Sequence, residues 1–80
     1  MNLRHLKNFY WVSKLATYSG AAEQLDLTES TVYRAVQTLE KSYGGPLFSK
    51  DKGRLRLTQT GKLLYDYAEK INALEGMAEQ

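Results

Sequence analysis

Apolar residues first recur at helical spacing near the N-terminus. Leu3, Leu6, Phe9, Tyr10 and Val12 are interleaved with Arg4, Lys7, Asn8 and Lys14, which predicts an amphipathic helix from Asn2 to about Ala16. Asn2 is placed to cap it, its side-chain oxygen accepting from the first unpaired backbone N–H groups. Trp11 and Leu15 fall on the other side, four residues apart, and point to a second apolar contact; a single tryptophan covered by its own chain fits equally well. The pattern breaks at Tyr18-Ser19-Gly20. Ser19 reads as the cap of a short helix of small residues ending at Leu25, with Glu23 close to a capping-box position. Asp26-Leu27-Thr28 turns the chain, and Thr28-Glu29-Ser30-Thr31 opens a third helix under its own cap. Two short helices joined by a tight turn outline a helix-turn-helix.

In the third helix Val32, Val36, Leu39 and Tyr43 form a core stripe, while Ser30, Arg34, Gln37 and Lys41 occupy the other side, flanked by Glu29 and Tyr33 at the N-terminal end. Every side chain of that polar face donates or accepts hydrogen bonds. Gly44-Gly45-Pro46 stops the helix, a left-handed glycine followed by a proline that cannot continue it. Leu55 and Leu57 then alternate with Arg54 and Arg56 as on a half-buried strand, with Lys52-Gly53 where a hairpin must turn, so a short two-stranded wing is expected. A final helix runs from about Thr60 to Gly76. Its Leu64, Tyr67, Ile71, Leu74 and Ala78 make the seam of a helix packed lengthwise on another, with Asp66, Glu69, Lys70 and Glu75 facing outward.

Eighty residues allow one small domain and a single core. The net charge of +2 is mild, but its distribution is not. Through Tyr65 there are 10 basic and 5 acidic side chains, and from Asp66 onward 1 and 4, so a basic body carries an acidic tail. Such asymmetry separates a polyanion-facing surface from one turned away from it. Lys50 to Arg56 holds four cations and one anion, the densest positive charge in the chain. The absence of cysteine excludes disulfides and thiolate metal sites, and no apolar run reaches signal-peptide or membrane-spanning length, so a cytoplasmic protein is expected. Enzyme chemistry finds no support. His5 has no nucleophile beside it, no glycine-rich phosphate loop occurs, and the carboxylates lack metal-ligand spacing, so neither metal nor cofactor is expected.

The remaining chemistry is recognition. The major groove of duplex DNA admits one helix, and in a helix-turn-helix the N-terminal half of the second helix meets the base edges. Arg34 taken alone reads as surface charge, and beside a polar face and a basic wing as a base contact. Thr28 and Ser30 are helix-start residues first and phosphate contacts second, and Glu29 is either an N-terminal acid favoured by the helix dipole or an acceptor for cytosine N4. Tyr33 packs half-buried or lays its ring on a thymine methyl, and wing cations reach phosphates or the minor groove. The rival is a protein-interaction module that docks an acidic partner with the same surface.

In order and spacing, Leu3-Leu6-Phe9-Val12, Ser19-Gly20-Ala21-Ala22-Glu23-Gln24-Leu25, Thr28-Glu29-Ser30-Thr31-Val32, Leu39-Glu40, Gly44-Gly45-Pro46-Leu47-Phe48 and Leu57-Thr58-Gln59-Thr60-Gly61 resemble the N-terminal DNA-binding domain of LysR-type transcriptional regulators. The resemblance implies a mainly α fold: a winged helix-turn-helix of three helices and a two-stranded wing over residues 1–58, then a linker helix over residues 59–80 that pairs two subunits. It implies DNA contacts at Thr28, Glu29, Ser30, Tyr33 and Arg34, joined by Gln37 on the same polar face, with wing cations at Lys52 and Arg54. A dimer built on Leu64, Tyr67, Ile71 and Leu74, flanked by Trp11 and Leu15, would span an operator of two half-sites. Most members resemble a glutamine where this chain has Glu29 and a serine where it has Tyr33, so the base preference is expected to differ. Members run to about four times this length through an inducer-binding domain, which is expected to be absent here, along with any effector site.

Overall fold

The computed structural model describes residues 2–78. Helix α1 (Leu3–Leu15) starts at its expected cap, with the Asn2 side-chain oxygen accepting from the backbone N–H of Arg4 at 2.8 Å and of His5 at 3.4 Å. It buries Leu6, Phe9, Tyr10 and Val12. Leu3, expected on that stripe, is instead 57% exposed, because it lies at the first turn beyond the edge of the packed helices. The chain leaves α1 through Ala16, which holds a left-handed conformation at φ 59°.

Helix α2 (Tyr18–Leu25) begins two residues earlier than its sequence suggests. Thr17, not Ser19, is the cap. Its Oγ1 accepts from the Gly20 N–H at 2.9 Å, and Gly20 thereby fills the capping-box position that the sequence pattern gave to Glu23, which is exposed. Ala21 and Ala22 are buried, and their small side chains let α2 approach its neighbours closely.

Helix α3 (Glu29–Tyr43) is capped by Thr28, whose Oγ1 accepts from the Thr31 N–H at 3.2 Å. Val32, Val36 and Leu39 are buried as expected, and Ala35 joins them, but Tyr43 is 41% exposed at the end of the stripe. Gly44 closes the helix at φ 71°. Strands β1 (Phe48–Asp51) and β2 (Arg54–Leu57) pair antiparallel, Phe48 opposite Leu57 and Asp51 opposite Arg54. Lys52 (φ 53°) and Gly53 (φ 79°) are both left-handed, the two-residue turn that suits the twist of a hairpin.

Helix α4 (Gln59–Ala78) returns across α1. Its entry is tied to the corner after α3 by a compact set of bonds. The Thr58 hydroxyl donates to the Pro46 carbonyl at 2.8 Å and accepts from the Gly61 N–H at 3.0 Å. The Thr58 N–H bonds the Leu47 carbonyl at 3.0 Å, and the Leu47 N–H donates to Glu40 Oε2 at 2.8 Å. A Cβ at Gly61 would overlap the Leu47 carbonyl oxygen, so only glycine admits this approach. Leu47 is wholly buried at the centre of the corner.

One core results, running from Phe9 and Val12 through Ala22, Val36 and Leu39 to Leu47, Leu64 and Ala68. Removing the ring of a fully buried Phe9 would cost about 3–5 kcal/mol. A second aromatic layer fastens α4 to α1. Tyr10 and Tyr65 stack at 5.6 Å with their planes 2° apart, and Trp11 meets Tyr10 edge-on at 5.3 Å.

Helix α4 therefore divides the expected seam. Leu64 is buried and Ile71 half-buried against the chain's own core, whereas Tyr67 (52%) and Leu74 (65%) face outward with Leu63 (69%), which the sequence pattern passed over. The side chain of Ala78, the last seam position, lies outside the described residues.

Candidate nucleic-acid interface

Helix α3 lies with its apolar stripe on α1 and α2, which leaves the opposite side open along most of its length. Glu29, Ser30, Tyr33, Arg34, Gln37, Thr38 and Lys41 are all exposed there. Glu29, Tyr33 and Gln37 follow one another at intervals of four and so form a row; Ser30, Arg34 and Thr38 form the next row beside it. The two rows meet different neighbours.

The Arg34 row faces the start of α1. Arg34 shares a groove with Asn2, Arg4, Thr31 and Thr38, and it makes no ion pair among the described residues. Two guanidinium groups thus line one groove, that of Arg34 and that of Arg4, which the linear sequence did not single out. Thr28, Ser30 and Thr31 gather their hydroxyls at the N-terminus of α3, with Thr28 Oγ1 at 3.2 Å from Ser30 Oγ and 2.8 Å from Thr31 Oγ1. Thr28 is engaged as the cap, leaving Ser30 the more available of the two for a ligand.

The Tyr33 row faces α2 and the wing. Gln37 Nε2 donates to the Tyr33 hydroxyl at 3.0 Å, and the Tyr33 ring lies 5.3 Å from that of Tyr18. Tyr18 meets Phe48 of β1 edge-on at 6.4 Å, and Phe48 lies 5.3 Å from the fully buried Phe9. A chain of four rings therefore connects the centre of the core to the exposed Tyr33. Burial, helped by the nearby Glu40 carboxylate and Tyr33, pushes the Tyr18 hydroxyl up to about 12, so Tyr18 remains neutral throughout the physiological range. Nothing in the periodicity signalled Tyr18, because its role depends on a contact fifteen residues away along the chain.

On the wing, Arg56 pairs with Asp51 at 3.0 Å, which offsets one of the four cations. Lys50, Lys52 and Arg54 are exposed and make no ion pair among the described residues. Register places Lys50 opposite Leu55, so it lines the concavity between the wing and Tyr33 with Thr17 and Tyr18, while Lys52 occupies the tip. The interface consists of one polar helix face, a cationic projection on one side and an arginine-lined groove on the other.

The residues expected in a subunit contact do not form one surface. Trp11 is half-buried against Tyr10 and the core, the second of the two readings its position allowed. Leu15 is 41% exposed on α1, and Tyr67 and Leu74 are exposed on α4. Among the described residues no group of three or more His, Cys, Asp or Glu side chains is placed to hold a metal ion, and no helix is long and apolar enough to cross a membrane.

An exposed polar helix seated on two shorter helices, with a two-stranded wing beside it and a long helix behind, defines a winged helix-turn-helix. The family model for bacterial regulatory helix-turn-helix proteins of the lysR family matches residues 3–62. The chain belongs to that family. It is 38% identical over 72 residues to a probable RuBisCO transcriptional regulator of Emiliania huxleyi, a match covering 90% of this chain and 23% of the relative. Against the HTH-type transcriptional regulator HdfR of Yersinia enterocolitica it is 35% identical over 80 residues, covering 100% of this chain and 27% of the relative. The chain thus spans about a quarter of the length of these regulators. Among solved structures, the BenM DNA-binding domain in complex with catB site 1 DNA superposes with a TM-score of 0.87 at 29% identity, covering 99% of this chain and 89% of that one. The CbnR DNA-binding domain in complex with DNA gives 0.84 at 28% identity, covering 99% and 91%.

Proposed function

We propose that this chain is the DNA-binding part of a transcriptional regulator. It binds duplex DNA sequence-specifically, with α3 in the major groove and the wing against phosphates or in the minor groove. Residues 1–58 supply the contacts, and residues 59–80 pair it with a second copy. The observation that carries this reading is the uninterrupted exposed face of Ser30, Tyr33, Arg34 and Gln37 beside the free wing cations Lys52 and Arg54. The BenM and CbnR neighbours, both complexed with DNA, support it.

The roles follow from donor and acceptor chemistry. Arg34 offers a planar fork that matches guanine O6 and N7, and Glu29, only an acceptor when ionised, suits cytosine N4. Ser30 and the Thr28 cap sit where a helix N-terminus favours a phosphate. Lys52 and Arg54 neutralise phosphates, a contribution independent of sequence. The cytoplasm is the compartment where such a regulator meets its DNA.

Fluorescence anisotropy with a labelled random-sequence duplex tests the general claim, with an acidic polypeptide as competitor. The expected result is binding whose logarithm falls linearly with the logarithm of salt concentration. Failure to bind duplex at low salt, with retention by the acidic polypeptide, would establish the protein-docking reading instead.

A further inference from the structure

We infer that Tyr33 reads a thymine methyl group through a ring held in advance by Tyr18 and Gln37, which act as positioning residues. This rests on the proposed entry of α3 into the major groove.

Tyr33 is almost half exposed, yet it is fastened on two sides. Its hydroxyl accepts from Gln37 Nε2 at 3.0 Å, and its ring abuts Tyr18, the third member of the ring chain that begins at Phe9 in the core. An exposed side chain normally loses rotamer freedom on binding; a fastened one has already given up much of it. The same bond changes what Gln37 offers. Of the two hydrogens on Gln37 Nε2, one is committed to the Tyr33 hydroxyl. Gln37 thereby supports the Tyr33 side chain from its hydroxyl end, while Tyr18 supports it at the ring.

Among the groups displayed in the major groove, the thymine methyl is the one apolar target. Tyr33 stands one turn after Glu29 in the N-terminal half of α3, the part of the second helix that meets base edges. A phosphate is the weaker alternative for this residue, since it would use the hydroxyl and leave the braced ring without a partner.

The test replaces each thymine of a selected half-site in turn by 2′-deoxyuridine, which deletes only the methyl. The wild-type chain should bind about fourfold more weakly at one thymine per half-site, the effect of one buried methyl-sized group. Tyr33→Ala should abolish that penalty, and Tyr33→Phe, which keeps the ring but loses the bond from Gln37, should shrink it as far as Gln37→Ala does. Gln37→Ala, an exposed change with little structural cost, should shrink it to below about twofold with an unaltered melting temperature. Tyr18→Leu should shrink the penalty likewise, with a lowered melting temperature from the lost ring contacts to Phe48 and Tyr33. A penalty that persists in Tyr33→Ala, or a half-site in which no thymine methyl matters, overturns the inference and leaves sequence-specific binding intact. If no duplex is bound specifically, the inference falls together with the function on which it rests.

Discussion

Arg34 and Tyr33 are adjacent in sequence, but the helix turns them toward different neighbours, and their contributions separate accordingly. Arg34 lines a groove shared with Arg4 and makes no ion pair among the described residues, so no carboxylate there competes for its guanidinium. Arg34→Ala is expected to weaken binding to the selected site by about 1–3 kcal/mol while leaving binding to random duplex nearly unchanged. Parallel anisotropy titrations on both duplexes measure this, and equal losses on the two would mean that Arg34 meets only phosphate. Ser30, Arg34 and Gln37 were legible from the sequence because a helix of known phase places them opposite Val32, Val36 and Leu39. Tyr18 and Arg4 were not, since each comes beside that face through tertiary packing that no local period encodes. Thr17 and Ser19 show the same limit: both are good caps two residues apart, and only the bond from the Gly20 N–H to Thr17 Oγ1 decides between them.

The elements are joined more tightly than their short connections suggest. Gly61 brings α4 against the Leu47 carbonyl, and Thr58 bonds both sides of that junction. Gly61→Ala should therefore destabilise the chain by about 1–3 kcal/mol, although alanine is the better helix former. Thermal unfolding followed by circular dichroism checks it; an unchanged or raised melting point would show that the corner relaxes freely. This junction gives a physical reason for the run Leu57-Thr58-Gln59-Thr60-Gly61, which in sequence is only a pattern. The wing stands apart from the core except through Phe48, Leu55 and Leu57, so its tip can be altered without unfolding the rest. Replacing Lys52 and Arg54 by glutamine should lower the slope of binding against salt by about one unit for each phosphate no longer neutralised, with little change in base preference. An unaltered slope would place the wing away from DNA.

Across the molecule, charge and apolar surface are arranged on different sides. Lys50, Lys52 and Arg54 lie on the wing and Arg34 and Lys41 on α3, whereas Asp66, Glu69 and Glu75 belong to α4, where Lys7 of α1 pairs with Glu75 at 3.5 Å. The exposed apolar residues of α4, Leu63, Tyr67 and Leu74, follow helical spacing, and we propose them as the surface for the second copy. The sequence pattern groups Tyr67 and Leu74 with Leu64 and Ile71, which turn to the chain's own core, because spacings of three and four cannot distinguish a stripe facing that core from one facing outward. That division determines the useful substitution. Ile71→Asp would strike the fold itself, while Leu63→Asp with Leu74→Asp should give a folded monomer by sedimentation at micromolar concentration. A dimer that survives this change would locate the subunit contact elsewhere. Selection of bound sequences from a random duplex pool tests sequence-specific recognition by a paired α3 most directly. The expected result is enrichment of two related half-sites in inverted orientation, their centres about 10 base pairs apart, so that two copies of α3 enter successive major grooves. A pool that after repeated rounds binds no better than the starting DNA would contradict it.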